Sequence, residues 1–216
     1  MIVGSGGRVL AGARTVSAGA STVRVSARNC AIAAGTPLAA LVGERQVGGP
    51  GFALRDYAHC GPSPANSGEL FVYSLGGETN RAQNGWEYKV DGVSGSTGAG
   101  DPSGPSGNGR RLSSGEQVLW FWCQATAGGC QRTLALSASS RAVAPRQSLS
   151  VSVSGQDNEG RGAIVKGAIV TLGSDFASTA SNGHATLFAP SKPGSYKLSA
   201  TRQGMAPAFP ETIVVR

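Results

Sequence analysis

All three tryptophans of this 216-residue chain fall in two short segments whose side chains alternate, and no other feature restricts the fold as much. In NGWEYKVDGV, Trp86, Tyr88 and Val90 point one way and Glu87, Lys89 and Asp91 the other. That is the period of a half-buried strand, closed by an Asp91-Gly92 turn. In QVLWFWC, Val118, Trp120 and Trp122 share one face and Leu119, Phe121 and Cys123 the other, so both faces of this strand call for cover. Between the two strands runs the Gly/Ser/Pro-rich stretch SGSTGAGDPSGPSGNG. A loop as long as residues 92–109 is either functional or mobile.

Thirty-three glycines and only 14% charged residues favour many turns and short strands over long salt-bridged helices. The length suits one large domain or two small ones. A net charge of +7 raises the question of nucleic acid, but the 19 Lys and Arg are scattered and Arg110-Arg111 is the one basic doublet. Without a basic stripe interleaved with aromatics, nucleic acid is not an expected partner. The surplus gives a mild bias towards acidic polymers such as an anionic cell envelope, or serves solubility alone.

Four cysteines in a Gly-rich β pattern suggest two disulfides and an oxidising compartment. Cys123 and Cys130 bracket the short turn QATAGG, which leaves Cys30 and Cys60 for each other. A zinc site lacks its spacing: there is no C-x-x-C pair, and His59 and His184 lie far apart, so no metal is assigned. No apolar run is long enough to span a bilayer. The opening MIVGSGGRVLAGARTVSAGA has no basic start, and Gly and Arg break its apolar runs. It does not read as a signal peptide, and the expectation is a trimmed chain, extracellular or on the cell surface.

Taken in order, residues 2–3 and 8–10 read as a hairpin about GSGG, and residues 22–26 as a strand. Thr36 as N-cap, Pro37 at the first position and Leu38, Leu41 and Val42 on one face predict a single short helix stopped by Gly43. Strands follow at 52–57, 70–75, 86–90, 117–123 and 132–136. The fold class expected is mostly β: an α+β, β-grasp (ubiquitin-like) domain with one short helix over residues 1–138, a linker at 139–146, and an all-β Ig-like sandwich over 147–216.

The two tryptophan strands carry a resemblance. NGWEYKVDGV, then a Gly-rich insertion and LSSGEQVLWFWC, resembles the transcobalamin-C-terminal-like β-grasp domain of secreted bacterial proteins. Trp86, Tyr88, Val90, Asp91, Gly92, Gly115, Glu116, Val118, Trp120 and Trp122 occupy that signature, and the segment at Thr36-Pro37-Leu38 also matches. In transcobalamin-type proteins the domain closes over a corrinoid held by a separate helical barrel. This sequence holds no such barrel, and no cofactor is assigned. The segment from GAIVKGAIVTLG to MAPAF resembles bacterial Ig-like or carboxypeptidase-regulatory-type modules, which serve as spacers, stalks or adhesion elements.

Catalytic signatures are missing: there is no G-x-S-x-G elbow and no H-E-x-x-H, so no catalytic residue is named. The candidate ligand contacts are Tyr88, Asp91, Asp101, Trp120 and Trp122. Each has a second reading. The aromatics either stack on a sugar or planar ring or form the core beneath the helix with Leu38, Leu41 and Trp86; Asp91 and Asp101 either face a ligand or serve their turns. The expected function is non-enzymatic binding or adhesion to an extracellular ligand, a glycan or small molecule, or to an envelope polymer. The alternative is a structural subunit that self-associates through β edges into a filament or envelope component.

Overall fold

The computed structural model describes residues 1–216 and is mostly β, with one short α-helix among several sheets. The chain divides into two units, residues 1–127 and 128–216, each with a hydrophobic core of its own.

In the first unit the opening hairpin pairs Ile2–Val3 (β1) with Val9–Ala11 (β2), and a second hairpin pairs Ser21–Val25 (β3) with Arg28–Ile32 (β4). The helix, Pro37–Gln46 (α1), starts where the sequence places it: the Thr36 hydroxyl accepts the Ala39 N–H at 3.1 Å, and proline fills the first position. Its end differs from the expectation. Gly43 does not stop the helix but lies buried inside it, because a Cβ there would sit 2.0 Å from the carbonyl oxygen of Ser17. Glycine at this point lets the segment before β3 cross the helix at backbone distance. The same crossing is tied by Arg14, whose Nε donates to the buried Glu44 carboxylate at 2.8 Å.

Phe52–Asp56 (β5), Leu70–Leu75 (β6) and Glu78–Thr79 (β7) make an antiparallel three-stranded sheet. Gly85–Val90 (β8), Val93–Ser94 (β9) and Val118–Cys123 (β10) join β1 and β2 in a five-stranded sheet, ordered β2-β1-β10-β8-β9, with β1 parallel to β10. The helix buries Leu38, Leu41 and Val42 in one cluster with Trp86, Tyr88, Trp120 and Trp122. Leu119 and Phe121, on the other face of β10, are buried as well. All four cysteines are disulfide-bonded; Cys30–Cys60 ties β4 to the segment after β5, and Cys123 and Cys130 are the other two.

The second unit starts earlier than the sequence suggests. Thr133–Ala138, placed by that reading in the first domain, pairs along its whole length with Ser148–Gln156. Inside the expected 139–146 linker, Ala142–Val143 pairs in parallel with Glu211–Val215. Leu134 and Leu136 pack into the second core. Two sheets share that core. Leu149, Val151 and Val153 from one are buried with Val170, Leu172, Leu198 and Ala200 from the other, while serines fill the alternate positions of 148–154.

Candidate functional site

Strand alternation puts Trp86 and Tyr88 of β8 on the same face as Trp122 and Trp120 of β10, and the antiparallel register sets Trp86 opposite Trp122 and Tyr88 opposite Trp120. These non-local pairs are cross-strand ring contacts. Trp86 and Trp122 meet edge to face with centroids 5.7 Å apart, and Tyr88 and Trp120 lie tilted at 5.6 Å. A buried indole or phenol normally gives its N–H or O–H a partner. Trp86 Nε1 donates to the Glu78 carbonyl at 2.8 Å, and the Tyr88 hydroxyl donates to the Thr97 carbonyl at 2.8 Å. Trp120 is 3% exposed, and its Nε1 has no partner.

Trp120 borders a gap between sheets. Strands β6 and β8 run side by side but do not pair. Asn80 spans them at one end: its Oδ1 accepts the Trp86 N–H at 3.0 Å and its Nδ2 donates to the Val72 carbonyl at 3.4 Å. Past that bridge a cleft of about 260 Å³ opens, walled by residues 70–72 on one side and 86–88 on the other, with residues 97–99 and 68–69 at its end and Trp120 in its lining. Tyr57 and Phe71, 63% and 42% exposed, lie at its mouth with ring centroids 6.2 Å apart. Two acidic residues, Glu69 and Glu87, line the cleft, and no Lys, Arg or His does. Alternation turns the Glu87 side chain to the opposite face from Trp86 and Tyr88, so its backbone forms the wall. Arg55, across the ladder from Phe71, lies over the Tyr73 ring, 4.8 Å from its centroid.

The long loop is built, not loose. Its residues hydrogen-bond one another from Ser96 to Gly109, the Ala99 carbonyl accepts the N–H of Leu38 in the first turn of the helix, and the Gly100 carbonyl accepts the Ser67 hydroxyl. Gly98 fits this path for a steric reason: a Cβ there would lie 1.7 Å from the Gly68 carbonyl oxygen. The loop thus holds residues 97–99 against the end of the cleft.

Of the five candidate contacts, Tyr88 and Trp120 line the cleft and the other three do not. Trp122 is buried with its ring on Trp86. Asp91 sits in its turn, and its Oδ1 accepts the N–H of Gln117, the residue before β10, at 2.8 Å; both Asp91 and Gly92 have positive φ, 47° and 86°, as a two-residue hairpin turn demands. Asp101 Oδ1 accepts the Ser103 N–H at 2.7 Å, again a turn role. The sequence reading missed Tyr57, Phe71 and Thr97. A signal for Phe71 exists in LFVYSL, where Leu70 and Val72 hold the buried parity and an aromatic takes the outward one. The sulfurs of Cys30 and Cys60 lie with an Asp56 carboxylate oxygen within 4.8 Å, a set of metal-ligand types. The two sulfurs are bonded to each other, and Asp56 instead accepts the N–H groups of Ala58 and Cys60.

Burial, with lesser contributions from the charges of Glu87 and Asp101, outweighs the Thr97 hydrogen bond and pushes the Tyr88 phenol from its ordinary value of 10.0 up to about 12. The folded state therefore holds this proton more tightly than the unfolded chain does. The associated stability is complete below pH 10 and is lost as pH rises through about 12. Phenolate absorbance is expected to show one late ionisation near pH 12 accompanied by unfolding, and Tyr88→Phe should remove that late step. Its persistence in the variant would assign it to another tyrosine.

No protein-family model matches the chain, and no curated protein matches it.

Proposed function

We propose that this chain is a secreted or cell-surface, non-enzymatic binding module, whose first unit is a transcobalamin-C-terminal-like β-grasp domain and whose second is an Ig-like spacer. The observation that carries the binding reading is the cleft between β6 and β8, with aromatic walls. A largely preformed, aromatic-lined concavity with few polar groups is the usual form of a small-ligand site. The two disulfides are compatible with an oxidising, extracellular setting, and no helix is long and apolar enough to cross a membrane.

Because Trp86 and Trp120 both line the cleft, intrinsic fluorescence reports on its occupancy. Titration with a broad panel of glycans and small metabolites is expected to give a saturable change in tryptophan emission for at least one class. A flat response across the panel would remove the binding reading.

A further inference from the structure

We infer that the second unit pairs edge to edge with a second copy of this chain, through the strand Gly162–Ile164 in antiparallel register about Ala163. The pairing is separate from the cleft of the first unit and independent of what that cleft binds.

Gly162–Ile164 is an outermost strand, hydrogen-bonded on one side only, to Ser148–Gln156, and all of its residues are exposed. The bond from the Asp157 N–H to the Arg161 carbonyl, 3.1 Å, fixes the phase of that ladder. Two positions on, Gly155 and Ala163 form the next hydrogen-bonded pair. The N–H and C=O groups of Gly162 and Ile164 therefore point the other way, to the free edge. Two other outer strands of the sandwich are guarded, since the Asp175 carboxylate accepts the N–H of Phe176 on one and of Phe188 on the other. No side chain caps Gly162 or Ile164 in this way.

A two-fold arrangement uses that edge in full. With Ala163 opposite Ala163, Gly162 of each copy meets Ile164 of the other as a hydrogen-bonded pair, and every outward N–H and C=O gains a partner. The side chains agree. Ile164, across the ladder from Ser154, is 68% exposed. In the pair it lies over Gly162 of the second copy, with the second Ile164 on the diagonal, and both isoleucines lose contact with water. The chain's own fold does not require glycine at 162. Its φ lies outside the left-handed region, and a Cβ there would meet nothing nearer than the Ser154 hydroxyl at 3.5 Å. The pairing makes use of it, because the absent side chain leaves room for Ile164.

Charge, the usual protection of an edge, does not oppose this register. Arg161 is drawn back by Asp157 at 3.1 Å and by Glu159 at 2.9 Å. Lys166, beyond the other end of the strand, falls beside the turn of the second copy that carries Glu159, whose side chain is 64% exposed. Such a solvated pair adds little affinity and brings no like-charge contact.

A pairing of this length lies at the weak, transient end of protein interfaces, so the test runs sedimentation of the whole chain up to concentrations on the order of 1 mM. A monomer–dimer equilibrium is expected. Ile164→Lys sets like charges across the axis and should weaken the dimer about tenfold or more. Ala163→Cys reads the register. All native cysteines are disulfide-bonded, so the added thiol is the free one. Residues opposite in a non-hydrogen-bonded pair lie about 4.5 Å apart between Cα atoms, within reach of a disulfide. Mild oxidation should join two chains through Ala163→Cys much faster than through Ile164→Cys, whose copies stand on the diagonal. Should Ile164→Lys fail to fold, wild-type sedimentation and the two thiol variants decide. A strict monomer at the highest concentration overturns the proposal. So does a dimer that Ile164→Lys leaves unchanged, or one that oxidation joins no faster at position 163 than at 164.

Discussion

Replacing Cys30 and Cys60 together by alanine is expected to lower the stability of the first unit by about 3–4 kcal/mol and its melting temperature by about 10–15 °C. The bond spans 30 residues of sequence, and a loop of that size carries a chain-entropy constraint of about that magnitude. That loop contains the helix and β5, which form much of the wall around the Trp86 and Trp120 cluster. The surrounding contacts are modest in number: Ala31 donates to the Gly61 carbonyl at 2.8 Å, Asp56 accepts the N–H groups of Ala58 and Cys60, and Arg28 reaches the Asp56 carboxylate at 3.3 Å. The Arg28–Asp56 pair adds little, since the half-exposed guanidinium is screened by water. The covalent bond therefore dominates this corner. All three tryptophans lie in the first unit, so fluorescence-detected urea and thermal unfolding report on it directly. A loss below about 1 kcal/mol would show that the reduced chain is already constrained by residual structure in its unfolded state.

How far the sequence discloses this fold depends on the range of the interactions involved. Leu70–Leu75 and Val118–Cys123 announce themselves because alternation is a local property, and the start of α1 does so because Thr36 and Pro37 act on the next turn. The end of α1 is hidden. Gly43 looks like a stop, and its real role depends on Ser17, which the local pattern does not connect to it. The same limit moves the boundary between units. Residues 133–138 carry a strand pattern that suits either sheet, and only the register with 148–156 decides. The candidate site follows this rule too. Tyr88 and Trp120 were legible as aromatics of uncertain duty, and they prove to be both buried and lining the cleft. The cleft itself exists because β6 and β8 fail to pair, and a missing ladder between two well-formed strands leaves no mark in either sequence. Asp91 and Asp101 drew notice as carboxylates, whereas their neighbours Gly92 and Pro102 already spelled turns.

Trp86→Ala is expected to cost about 3–5 kcal/mol, the range for deleting a large buried ring that its surroundings cannot fully replace. Trp86 is 3% exposed, and its ring stands edge-on to Trp122. Its Nε1 donates to the Glu78 carbonyl, and its backbone N–H is held by Asn80, the residue that bridges β8 to β6. The alanine variant loses the ring contact, the apolar burial and the Glu78 hydrogen bond together. Trp86→Phe separates these effects. A phenyl ring keeps much of the packing and leaves the Glu78 carbonyl without its donor, so the loss should fall to about 1–2 kcal/mol. Urea unfolding followed by far-ultraviolet circular dichroism measures both variants without depending on the tryptophan removed. Equal losses would assign the whole effect to the indole N–H. A small loss in both would mean that β6 and β8 can close over the vacated space, and the cleft would then be a consequence of Trp86 rather than of the missing ladder.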